Sequence, residues 1–274
     1  MQIKINKHSN LVRIIVALLL FAIVFVLSGF TNSGVLKTYF PYLSCLMFVL
    51  VTWILFKTEN KSLGTIGFTF KFQQLRFLFL GTFLGICVLL LVKYVRCLYL
   101  GESLRLSSRI NLGDVFLAFY FILPQVATEE LLFRGYLFHK TIRITNVVTA
   151  NIIFSVVFTL VHVLDEGVIQ NKGLLIMLLI SIPVGHLLFA TALIRSKTLW
   201  FPIGLHLGNN WATRHMVSSE NIGNSFFYIE GASNFEAWAP FITVLIMTNG
   251  CFLIFTILIW KWSSILRICR SVFV

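Results

Sequence analysis

The sequence predicts an all-α fold, a polytopic bundle of about eight transmembrane helices that forms one integral membrane domain over residues 1–274. Three observations carry this. Hydrophobic residues make up 58% of the chain and charged residues 12%, about half the charged share of an ordinary soluble domain. The mean hydropathy is +0.91. Apolar stretches recur at 12–30, 39–56, 75–92, 115–138, 147–163, 173–194, 198–213 and 238–260, each near the roughly 20 residues that cross a hydrocarbon core. A soluble globular protein, a disordered chain and a disulfide-rich scaffold are thereby excluded.

The first span follows Lys4, Lys7 and Arg13 and has the outline of a signal peptide, but seven more spans follow it, so it reads as a retained helix. The net charge of +12 comes from cations that flank the spans, as the positive-inside bias requires. No basic run interleaved with aromatics occurs, so nucleic acid is not an expected partner; the lipid bilayer is. With the N-terminus inside, fourteen of the 22 cations fall on inner segments and seven on outer ones, with Arg134 inside a span. The cluster from Lys93 to Arg109 runs against that orientation. The five cysteines contain no C-x-x-C and behave as small hydrophobes. The longest connection, Arg214 to Glu236, reads as an ordinary loop rather than a lid.

Polar groups inside the spans are the informative exceptions, because an ionisable side chain at mid-span costs at least ~2.5 kcal/mol and needs a partner or a purpose. The fourth span carries Glu129, Glu130 and Arg134. Glu130 and Arg134 are i and i+4 and can neutralise each other on one helix face. Glu129 points about 100° away with no expected partner in its own helix, which leaves it free to act as a general base. Pro124 lacks an N–H and is expected to kink the helix before this pair. The fifth span places Phe158 and His162 on one face. The seventh places His206 and Asn210 on one face, with Gly204 and Gly208 letting a neighbouring helix approach closely. A carboxylate, two imidazoles and an amide are the parts needed to activate water and stabilise an oxyanion. Glu129, His162 and His206 could instead supply a His₂Glu set for zinc or another divalent metal, although no H-E-x-x-H occurs. Residues alone do not choose between these. His186 reads as a packing residue, and His8, His139 and His215 as interfacial.

The three motifs Glu129-Glu130-x-x-x-Arg134, Phe158-x-x-x-His162 and His206-x-x-x-Asn210 resemble those of the CPBP intramembrane proteases, also called the CAAX protease, bacteriocin-processing or Abi family. The resemblance covers approximately residues 115–213. It implies an eight-helix membrane enzyme, an endopeptidase in which Glu129 and His162 activate water, His206 and Asn210 form the oxyanion site, and Glu130 and Arg134 support them. The family is described both as metalloproteases and as metal-free glutamate enzymes, so the resemblance leaves the cofactor open. It also implies a membrane-bound peptide or protein as substrate and, from the small size, a bacterial plasma membrane. The alternative is a non-proteolytic immunity or regulatory protein that keeps the motifs for structure. A proton-coupled transporter is disfavoured, since no inverted repeats or paired broken helices are evident.

Overall fold

The computed structural model describes residues 7–31, 34–231, 235 and 237–272, so Lys4 and Glu236 lie outside the described residues. Each apolar stretch read from the sequence falls on a helix: α1 (Lys7–Thr31), α3 (Leu43–Lys57), α4 (Phe72–Leu100), α5 (Leu112–Arg134), α7 (Val147–Val163), α9 (Lys172–Ser196), α10 (Trp200–His215) and α11 (Trp238–Val272). Short helices α2 (Gly34–Tyr39), α6 (Tyr136–Ile144) and α8 (Glu166–Gln170) fill the connections. The fold class is the predicted all-α bundle. Among the described residues, five of these helices are long and apolar enough to cross a membrane, while α3 and α7 are shorter apolar helices. At 17 residues α7 is about 25 Å long, short of a full hydrocarbon crossing.

The fourth predicted stretch, 115–138, also ends earlier than expected. The helix runs through Pro124 and stops at Arg134, and Gly135 (φ −80°, ψ −129°) turns the chain into α6. A Cβ on Gly135 would lie 2.1 Å from the Leu131 carbonyl oxygen, so only glycine fits this corner. The amphipathic α6 is then held from below by Glu59, which accepts hydrogen bonds from the Tyr136 hydroxyl and Lys140 Nζ, each at 2.7 Å, and from Lys61. Burial alone would raise the Glu59 carboxyl, but these three donors together hold it down at about 2.

Helix α10 is the hub, buried along most of its length against α4, α5 and α9. That explains its modest apolar character: its neighbours, not lipid, surround it. Its contact with α4 is backbone against backbone. Gly204 and Gly208 face Gly81 and Gly85, and a Cβ on Gly208 would sit 2.1 Å from the Thr82 carbonyl oxygen. Two small-xxx-small stripes thus interlock, the packing that membrane helices use in place of a hydrophobic driving force. Two further contacts set the helix's depth. Trp211 Nε1 donates to the Val115 carbonyl (2.8 Å) with its ring stacked on Phe119 at 4.4 Å, and Trp200 Nε1 donates to the Thr69 carbonyl (2.8 Å).

This predicts that Gly208→Val separates α4 from α10 and destabilises the protein by about 1–3 kcal/mol or more. Gly29→Ala, on α1 with open space around the site, should be silent. Thermal unfolding of the detergent-solubilised protein measures both; equal midpoints for the two variants would refute the interlock.

A small sheet, which the sequence did not signal, caps one end of the bundle. Strand β1 (Ser103–Leu106) pairs antiparallel with β3 (Phe227–Glu230), and β3 pairs parallel with β2 (Val217–Ser218). The connection expected to be an ordinary loop therefore contributes two strands. Its chemistry is legible in retrospect: Phe227, Tyr228 and Ile229 are strand formers, but four residues are too few for a confident period.

Candidate active site

The six polar residues singled out in the sequence lie on three helices: Glu129, Glu130, Arg134 and His206 are linked side chain to side chain, and His162 and Asn210 border a cavity with Glu129 and His206. Helix α5 supplies the carboxylates. Glu130 and Arg134 are both fully buried, and Arg134 donates from one guanidinium nitrogen to Glu130 Oε1 at 3.0 Å, the intrahelical pair that the i, i+4 spacing predicts. The rest of the guanidinium is enclosed by rings: its carbon lies 4.4 Å from the Phe158 centroid and 5.4 Å from that of Phe189. Phe158 thus provides a cation–π face for the buried cation.

Histidine 186 is more than a packing residue. It is 1% exposed, and Arg134 donates to its Nδ1 at 3.1 Å through its second terminal nitrogen. Arg134 carries no acceptor, so His186 Nδ1 must accept and its proton resides on Nε2. The expectation of simple packing failed because the partner is 52 residues away in the sequence and on another helix.

Helix α10 closes the cluster. His206 Nδ1 lies 2.9 Å from the same Glu130 Oε1 that receives Arg134, and its ring stacks on Phe189 with centroids 4.7 Å apart. The other ring nitrogen, Nε2, faces Glu129 Oε2 at 3.7 Å. The buried carboxylate of Glu130 therefore fixes both Arg134 and His206, and the orientation of His206 turns its free nitrogen toward Glu129.

Glu129 is only partly buried, at 22% side-chain exposure, and borders both cavities. The expectation that it lacks a partner in its own helix is corrected: Gln125, one turn earlier, donates to Glu129 Oε1 at 3.3 Å. The i−4 spacing could have revealed this, but a glutamine beside an acid in an apolar span drew no attention. His162 ends α7 and borders both cavities with Glu129. Its Nδ1 is 2.8 Å from the Phe158 carbonyl. A carbonyl only accepts, so Nδ1 carries the proton and Nε2 is left with its lone pair.

The smaller cavity, about 380 Å³, is bordered by Glu129, His162, His206 and Asn210, so all four residues expected to do chemistry share one space. Asn209 borders it too and was not foreseen. The larger cavity, about 510 Å³, lies between α1, α3, α5 and α7 and is lined mostly by apolar side chains such as Phe25, Phe48, Phe121 and Phe133.

Among the described residues, no three His, Cys, Asp or Glu side chains are placed together to hold an ion. His206 has one nitrogen committed to Glu130, and its other nitrogen faces Glu129.

Residues 111–212 match the family described as type II CAAX prenyl endopeptidase Rce1-like. The match spans all three motifs and agrees with their resemblance to the CPBP intramembrane proteases. No curated protein and no solved structure matches the chain.

Proposed function

We propose that this multi-pass membrane protein, whose residues 111–212 match a CAAX endopeptidase family, is an intramembrane endopeptidase that hydrolyses a peptide bond of a membrane-associated peptide or protein through water activated by Glu129. The observation that carries this reading is the meeting of Glu129 Oε2 and His206 Nε2 at 3.7 Å on the wall of a polar cavity otherwise enclosed by apolar helices.

Glu129 is the base in this reading, and His206 is the hydrogen-bond donor that faces it. With His206 as the imidazolium and Glu129 as the carboxylate, the site is ready for hydrolysis. A water in the cavity donates one hydrogen to the lone pair on His162 Nε2 and gives the other to Glu129 as it attacks the carbonyl carbon. The oxyanion that forms accepts hydrogen bonds from His206 Nε2–H and the Asn210 amide. Glu129 then passes its proton to the departing nitrogen, the C–N bond breaks, and an acid and an amine leave. Glu130 and Arg134 touch no substrate in this scheme. They hold the His206 ring and keep a second charge from disturbing Glu129.

Peptide comparison in membranes tests the assignment. Cells carrying wild-type protein should yield pairs of fragments that sum to one precursor, and cells carrying Glu129→Ala at equal abundance should retain the precursor. Identical peptide profiles in the two strains would remove the endopeptidase assignment.

A further inference from the structure

The cavity of about 380 Å³ has a wall that the proposed catalytic residues do not supply. Ser181 and Gly185 of α9 and Thr248 and Asn249 of α11 border it, and α11 lies outside residues 111–212. Asn249 stands in the middle of an apolar helix, where an amide needs partners, and it is 6% exposed. Its Nδ2 donates to the Leu245 carbonyl one turn earlier at 2.8 Å and to Ser181 Oγ on the neighbouring helix at 3.1 Å. A carbonyl only accepts, so the amide can be oriented one way: both Nδ2 hydrogens are used, and among the described residues Oδ1 has no partner. The Ser181 hydroxyl accepts from Asn249, and among the described residues its own hydrogen has no acceptor. A bond that only tied α9 to α11 needs neither free group. Together they offer one acceptor and one donor at the cavity, the complement of a peptide N–H and C=O.

Between this pair and His206 the wall is bare. Ser181, Gly185 and Phe189 are i, i+4 and i+8 on one face of α9, and Phe189 stacks on the His206 ring with centroids 4.7 Å apart. Gly185 is halfway along, and a Cβ added there would meet nothing within 4 Å. Gly204 and Gly208 are glycines because the backbone of α4 presses on them, whereas Gly185 has open space in front of it.

We propose that the Ser181–Gly185–Phe189 face of α9, together with Asn249, is a track for the substrate backbone, with Ser181 and Asn249 binding one of its peptide units; this rests on the endopeptidase reading of the same cavity. Eight residues of α9 rise about 12 Å and an extended chain advances about 3.3 Å per residue, so the bound unit lies about three to four residues from a carbonyl held at His206. Recognition through the backbone tolerates varied side chains but demands free N–H and C=O groups. A helical segment has spent those groups on its own hydrogen bonds, so the track selects a stretch of membrane peptide that is already unwound.

Binding to the full-length Glu129→Gln protein in detergent tests this without requiring cleavage. The probes are a fluorescein-labelled, C-terminally amidated octapeptide of alanine and leucine and its all-ester analogue, which lacks every backbone N–H. The peptide should bind about fivefold or more tightly than the ester. Adding Asn249→Leu should weaken the peptide by about five- to tenfold and narrow its advantage over the ester, because the acceptor is gone. Adding Gly185→Leu should weaken both probes by about tenfold or more without lowering the thermal unfolding midpoint, since the new side chain enters open space and the helix loses a glycine. Gly250→Leu, which also has open space but does not border the cavity, should leave both affinities unchanged. No binding of either probe by folded protein, unchanged affinity in Gly185→Leu at a retained midpoint, or an undiminished peptide advantage in Asn249→Leu overturns the proposal. If Gly185→Leu lowers the midpoint, the Asn249→Leu comparison alone decides, because an asparagine that serves only helix packing would change stability and leave the peptide advantage intact. Wild-type protein that binds the peptide on this track yet cleaves nothing would remove the endopeptidase reading alone; cleavage by wild type with normal binding by folded Gly185→Leu would remove the track alone.

Discussion

Glu129→Gln should lower kcat for peptide cleavage by about 10²–10⁴-fold, the usual contribution of a positioned general base. The substitution is nearly isosteric and keeps an oxygen for the Gln125 amide, so the packing around residue 129 has no reason to change. What is lost is the capacity to take a proton from water. KM should stay near the wild-type value, because Glu129 acts on the nucleophile rather than on the bound peptide. The thermal unfolding midpoint should also be retained, since the residue is partly exposed and carries none of the buried pairing. Steady-state kinetics on detergent-solubilised wild type and variant decide it. Unaltered turnover would mean that Glu129 is not the base. An intact cellular phenotype together with no cleavage by either protein would favour the immunity or regulatory reading.

The second large effect is structural. Arg134→Met should destabilise the protein by about 3–5 kcal/mol, because it strands the fully buried Glu130 carboxylate. Methionine fills much of the volume between Phe158 and Phe189 but supplies no donor to Glu130 or His186. Combining it with Glu130→Gln removes the uncompensated charge, so the double variant should regain part of the lost stability. Activity should not return with it. His206 takes its orientation from Glu130 Oε1 at 2.9 Å, and a neutral amide there no longer favours an imidazolium. Thermal unfolding and turnover measured on the same three samples separate the two roles. Additive losses of stability in the double variant would contradict a buried pair that acts as a unit.

How much of this was legible in advance follows from the range of each interaction. The Glu130–Arg134 bond, the Phe158–His162 contact and the small-residue face of Gly204 and Gly208 are all i, i+4 relations within one helix, and helical geometry alone dictates them. Gln125 to Glu129 obeys the same rule and was missed only because an uncharged amide stands out less than an acid. The span boundaries were legible for the same local reason, since hydropathy is a property of consecutive residues. The early end of the fourth helix, at Gly135, depends on a carbonyl contact that no hydropathy average records.

Apolar composition, helical periodicity and the intrahelical pairs were determined by the sequence by itself, because they are set by residues within one turn of each other. Only the tertiary structure decided that His186 binds Arg134, that His206 shares Glu130 with it, that α4 is the helix seated on the glycines of α10, and that Arg214 borders the same cavity as Glu129. The physical reason is that in a membrane almost any apolar helix face can oppose any other. The choice among faces is made by close packing and by the satisfaction of a few buried polar groups, and both exist only once the helices have met.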